Sequence, residues 1–239
     1  MRIRPDTLGV IFDVVDVVYV ALVTNVLLVA GCLPLVLGLV VTDPARSWPL
    51  LALVAPLCAP GLCAAFAVLA AFSAGRADGW GSPPGGRSTA VLGTFGRAWR
   101  ASLRRATALG ALATGMLVVL GVDARAAWGR PVGAVAIPVL VVAMLLVVSA
   151  SLLALVVLAE RPSVRLRAAL RACLFLAVRH WYFTLLSLAV LALLQTLIAS
   201  RPAIAFGLAA APLLYVVWAN SRFTLRAALG PAPGLAQKA

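Results

Sequence analysis

A chain of 239 residues that is 64% hydrophobic and only 11% charged is too apolar for a water-soluble domain, which usually carries about 25% charged residues. The formal net charge of +13 is nearly all arginine, with Lys238 the single lysine. The arginines stand between apolar runs instead of forming one basic domain, so the excess is read as loop cations of a membrane protein and not as a nucleic-acid surface.

The chain opens MRIRPDTLGVIFDVVDVVYV, and Arg2 and Arg4 mark a cytoplasmic start. Val17–Thr42 is uncharged between Asp16 and Asp43 and is the first expected span. Pro34 can kink it by removing a helix hydrogen bond. Val29-Ala30-Gly31-Cys32 resembles a lipoprotein cleavage box, but Asp13 and Asp16 precede the apolar core, which runs on past Cys32; a signal peptide wants a basic start and a short core. A short turn with Trp48 at headgroup level leads to the second span, Leu50–Phe72, bent or partly broken by Pro56 and Pro60-Gly61. SAGRADGWGSPPGG, residues 73–86, reads as a loop.

Ser88–Arg105 reads as an amphipathic helix lying in the membrane interface. Leu92, Phe95, Trp99 and Leu103 share one face, with Arg97, Arg100 and Arg104 opposite. Ala106–Val122, the third span, is near the lower length limit, and Ala106, Gly110, Ala111 and Gly115 favour close helix packing. After Trp128 comes the fourth span, Pro131–Ala159, with no charge between Arg130 and Glu160. It is long enough to cross a bilayer as a helix and lacks the polar stripe of a soluble core helix. Glu160–His180 is a second basic connection, with Ser163 as a helix cap. Leu166, Leu170, Cys173 and Ala177 line one face there, and Arg165, Arg167, Arg171 and Arg179 turn towards the other. Trp181–Ser200 is the fifth span and Ala203–Asn220 the sixth, joined by a tight Arg201-Pro202 turn. The fold expected is therefore an all-α polytopic bundle of six transmembrane helices with two cytoplasmic amphipathic basic helices. It forms one domain over residues 1–229, with a disordered tail at 230–239.

Charge bias sets the orientation. The N-terminus, the two long connections and the tail hold 16 Lys or Arg, and the three short turns hold 4. Lys and Arg collect on the cytoplasmic side, and six spans return both termini there. Leu92–Leu109 and Leu166–Phe183 also echo each other, each running from a basic amphipathic helix into a span; any such connection meeting a membrane would look alike. The arginine- and alanine-rich composition suggests a GC-rich bacterial genome, and hence a multi-pass protein of the bacterial inner membrane.

Several motifs in the first half resemble those of a known family. Asp16, then Asn25-Val26-Leu27-Leu28, then Cys32-Leu33-Pro34-Leu35 is similar to the opening of the YesL-like family of small bacterial integral membrane proteins. Ala55-Pro56-Leu57-Cys58-Ala59-Pro60-Gly61 looks like that family's proline-rich second helix, and Thr94-Phe95-Gly96-Arg97-Ala98-Trp99-Arg100 like its aromatic-basic stretch. Val29 and Ala30 depart from it where the family carries larger residues. The resemblance implies a role beside carbohydrate importers of the ABC type, with importer components as partners, but carries over no catalytic or binding residue.

The chemistry is sparse. Asp13 and Asp16 share a helix face near the inner boundary. A carboxylate within the membrane is a functional candidate; the competing reading, which we favour, puts both at the interface, solvated or paired with arginine. Asn25 lies deeper and could bond across helices, with Gln195 or Thr196 as partner. The four cysteines form no C-x-x-C pair and read as small packing residues. No nucleophile with a base in reach, metal cluster or phosphate-cradling loop stands out, so no enzyme activity and no cofactor are expected. The E-A-A…G motif of ABC permeases is missing as well. The leading expectation is an accessory or regulatory protein meeting anionic lipid or a partner through Arg97, Arg100, Arg104, Arg165, Arg167 and Arg171. The alternative is a small transporter with a site between the broken second helix and Asn25. Assembly into an oligomer is left open.

Overall fold

The structure, a computed structural model, describes residues 5–43, 46–77, 86–161, 166–201 and 204–229. Every regular element among them is helical. Four helices are long and apolar enough to cross a membrane: Trp48–Ala74, Ala90–Ala127, Gly133–Glu160 and Trp181–Ser200. A bent pair over residues 15–41 makes a fifth if it is one span.

That pair is α1 (Pro5–Gly31) and α2 (Leu33–Val41), which meet at 69°. The expected kink falls at Cys32, two residues ahead of Pro34. Pro34 has no N–H, and its ring would collide with the carbonyl of Ala30 if the helix continued. Leu35 and Val36 instead both donate to the Cys32 carbonyl at 3.0 Å. The second span is α3 (Trp48–Val54), a 3₁₀ turn (Ala55–Cys58) and α4 (Ala59–Ala77). Its prolines tighten one turn without interrupting the crossing. The expected loop over 73–86 begins later, because α4 continues to Ala77; residues 78–85 lie outside the described residues.

α4 is the centre of the bundle. Half of an 18-residue apolar window within 48–74 is buried inside the chain, against 6% of such a window within 181–200. Glycines set how closely its neighbours approach. A Cβ on Gly31 would stand 3.2 Å from the Cα of Gly61, so α1 and α4 cross backbone to backbone. A Cβ on Gly110 would come within 2.9 Å of the Ala59 Cβ and 3.1 Å of the Pro56 carbonyl.

The third span departs from expectation. There is no separate interfacial helix over Ser88–Arg105: α5 runs unbroken from Gly86 to Ala127. Its 42 residues extend about 63 Å at 1.5 Å per residue. The inward face differs too. Phe95, Ser102, Ala106 and Leu109 are buried, while Leu92, Trp99 and Leu103 are exposed. Ala98, Ser102, Ala106 and Gly110 recur every four residues, and this strip of small side chains lets α5 lie against α4. Ala111 and Gly115, expected to pack likewise, do not: Ala111 is exposed, and Gly115 has open space where a side chain would stand.

α6 (Gly133–Glu160) returns antiparallel to α5. α7 (Leu166–Arg179) is the second amphipathic helix, and it is a separate one. Ala169, Cys173, Leu176 and Ala177 are buried, while Arg167, Arg171, Phe175 and Val178 face out. Ser163 and Arg165 lie outside the described residues. The chain breaks at His180, where the Thr184 hydroxyl donates to the Ala177 carbonyl at 3.0 Å. α8 (Trp181–Ser200) buries only Ser187. The last segment is a π-helical turn (Ala205–Ala209) followed by α9 (Ala210–Leu229). By itself α9 is not among the helices apolar enough to span: it begins only at Ala210, beyond the π-turn, and continues through the expected tail, so it carries Arg222 while the apolar residues 205–209 fall outside it. Residues 230–239, expected to be disordered, lie outside the described residues.

Candidate functional site

Polar groups gather at three places. The first is the end of the bundle where α4 and α6 finish. Arg222 of α9 pairs with Glu160 of α6 at 3.0 Å, each side chain 27% exposed. Its guanidinium also donates to the Ser73 hydroxyl of α4 at 3.3 Å and lies 4.9 Å over the Trp218 ring. One arginine thus ties three helices together. Glu160 is the only carboxylate after Asp123, so a basic partner was foreseeable from the sequence; which arginine supplies it depends on helix packing.

The basic residues singled out from the sequence emerge around this end. Arg97, Arg100 and Arg104 are exposed on α5, and Arg167 and Arg171 on α7. None of these five forms an ion pair among the described residues. Among the described residues Arg97 donates only to the Gly93 carbonyl of its own helix, at 3.2 Å. Arg165 lies outside the described residues. Asp13 belongs to α1, and Asp16, half-buried on the same helix, is not a free carboxylate.

The second place is Asn25, 1% exposed on α1. Its amide nitrogen donates to the Gly207 carbonyl at 2.9 Å, and its Oδ1 accepts from the Ala211 N–H at 2.6 Å. Gly207 C=O and Ala211 N–H are the two halves of one i→i−4 rung of an α-helix. The asparagine amide is therefore inserted into the ladder where the π-turn passes into α9. Side-chain insertion of this kind and π-bulges both distort helices locally. Pro212 follows and has no N–H for the Leu208 carbonyl, which weakens the ladder at the same point. The expected partners Gln195 and Thr196 are not used: Gln195 is exposed, and the Thr196 hydroxyl bonds the Leu193 carbonyl of its own helix. A side chain engaged at both ends in this way offers little to a ligand.

The third place was not foreseen. Ser149 of α6, Ser187 of α8, and Asn220, Ser221 and Thr224 of α9 border a cavity of 10 Å³, about the room of one water. Asn220 donates to the Phe183 carbonyl and to the Ser187 hydroxyl, both at 2.6 Å. Ser149, Ser221 and Thr224 each donate to a carbonyl of their own helix. These oxygens keep lone pairs and the Ser187 hydroxyl keeps its own hydrogen, so the cavity suits a small group that both donates and accepts, such as water. Asn220, Ser221 and Thr224 fall within about one turn of α9, but Ser149 and Ser187 are distant in sequence, and only the packing of three helices assembles the five.

No group of His, Cys, Asp or Glu able to hold a metal occurs among the described residues. Burial pushes the Cys173 thiol on α7 up to about 12, so it stays protonated and inert at neutral pH. His180 stands at the α7–α8 junction, 3.4 Å from the Tyr182 hydroxyl. Comparison with protein-family models, curated proteins and solved structures finds no match. The molecule is an all-helical protein with four or five helices fit to cross a membrane.

Proposed function

We propose that this is an accessory or regulatory membrane protein that meets its partners through a cationic end. The supporting observation is the set of five exposed arginines, Arg97, Arg100, Arg104, Arg167 and Arg171, without ion-pair partners among the described residues. Their neighbour Arg222 is held in an internal clamp with Glu160 and Ser73. Exposed guanidinium groups on helices suit acidic protein surfaces and lipid phosphates. In this reading the bent first helix pair and the last helix complete six crossings of a bacterial inner membrane. Both termini lie in the cytoplasm, as the distribution of Lys and Arg supports. The link to carbohydrate import rests on the resemblance to the YesL-like family.

The test is affinity purification from native membranes, scored for permease and ATPase subunits of sugar importers. Replacing Arg97, Arg100 and Arg104 together by Glu should abolish their recovery. Unchanged recovery would count against the cationic surface, and accessibility of residue 100 from outside the cell would overturn the orientation.

A further inference from the structure

We propose that the cleft between α5, α6 and α7 binds one anionic phospholipid, with its phosphate on Arg171 and one acyl chain along α5. The proposal rests on the membrane placement above but not on any protein partner. The cleft has a volume of 280 Å³ and is walled by Leu109, Leu112 and Met116 of α5, Val147 of α6 and Leu174 of α7, with Arg171 its only charged residue. The Ser151 hydroxyl at its edge is occupied by the Val148 carbonyl at 2.8 Å. Nothing else in the cleft recommends a polar ligand.

The shape is elongated. Leu109, Leu112 and Met116 share one face of α5, and the stretch they cover is about 10 Å long at 1.5 Å per residue. That suits a run of methylenes better than a compact solute. Charge is distributed along the same direction. Arg104 and Arg105 precede Leu109 by about one turn, and on α7 Arg167 and Arg171 precede Leu174 on one helix face. Beyond Leu109, α5 has no charge until Asp123. Cations therefore stand at one end of an apolar trough, which matches the polarity of a phospholipid. Arg171 is exposed and forms no ion pair among the described residues. A guanidinium can hold a phosphate by two parallel hydrogen bonds while its methylene stem lies on the apolar wall.

Native mass spectrometry of the full chain, delipidated in detergent and titrated with phosphatidylglycerol or phosphatidylcholine, tests the proposal. One phosphatidylglycerol should bind with preference over phosphatidylcholine. Arg171→Gln should weaken it about fivefold, the worth of one surface cation. Arg125→Gln, at the far end of α5, should leave it unchanged. Ala113 also lines the cleft, and Ala113→Phe should fill it and remove the bound lipid. Should that variant fail to fold, alkylation of Met116→Cys by a maleimide provides a second readout, slowed by phosphatidylglycerol and not by phosphatidylcholine. Equal binding of the two lipids, or an unaltered affinity in Arg171→Gln, would overturn the proposal. The triple Glu variant at 97, 100 and 104 keeps Arg171 and the cleft, so it should lose protein partners while retaining the lipid. Each idea can therefore fail without the other.

Discussion

Replacing Asn25 by Leu probes the inserted amide directly. The substitution keeps the bulk of the side chain but removes the donor to Gly207 and the acceptor for Ala211. Interhelical hydrogen bonds in membrane proteins average about 0.6 kcal/mol and reach ~1.7. Leaving a buried carbonyl and a buried N–H unpaired costs a further ~1–3 kcal/mol each where no water can reach them. The last helix can recover part of this by closing its own rung from Ala211 to Gly207. The expected loss is therefore about 2–4 kcal/mol, read as reversible unfolding in mixed micelles. A π-turn amounts to one residue inserted into an α-helix. Deleting Leu208 in the Asn25→Leu background should let the segment wind as a regular helix and restore at least half of the loss. An Asn25→Leu protein within about 0.5 kcal/mol of the parent, or a double variant worse than the single, would refute the reasoning.

Three further outcomes are expected. Gly110→Ala places a methyl 2.9 Å from the Ala59 Cβ and should cost about 1–3 kcal/mol of overpacking, whereas Gly115→Ala meets open space and should be neutral or slightly stabilising; micelle unfolding of the pair distinguishes them. The Thr24 hydroxyl is buried with no hydrogen-bond partner among the described residues, so Thr24→Val should stabilise by about 1 kcal/mol, and a loss of that size would reveal a bond to it. The Cys173 thiol, pushed up to about 12, should resist maleimide at pH 8 in the folded protein and react promptly in denaturant, since only the thiolate attacks; equal rates in the two states would contradict its burial.

The crossing helices were legible because length and uniform apolarity are local properties. The span around 131–159 needed no partner to be recognised, and it is α6 almost to the residue. The charge pattern changes at Arg105 and so predicts a boundary there, but a change in charge pattern is not a change in helix. Nothing in Leu103-Arg104-Arg105-Ala106 stops a helix, and none stops there. The apolar stripe of α5 misled for a related reason. In water the large side chains face the core, but against α4 the small ones do, and Leu92, Trp99 and Leu103 turn outward. Asn25 stood out as a deep polar residue, yet its partners are backbone atoms of Gly207 and Ala211, and a backbone carries no sequence signal. The cluster around Asn220 was invisible for the same reason, since hydroxyls from three separate helices form a site only once those helices are packed.

The hydrogen bonds of Asn25 join positions 182 and 186 residues apart in a chain of 239. During synthesis the first helix must therefore wait in the membrane, its amide unsatisfied, until the final one emerges from the ribosome. A product truncated before residue 207 cannot make this closure, and its bare amide would mark it as unfinished to any quality-control protease that patrols the bilayer.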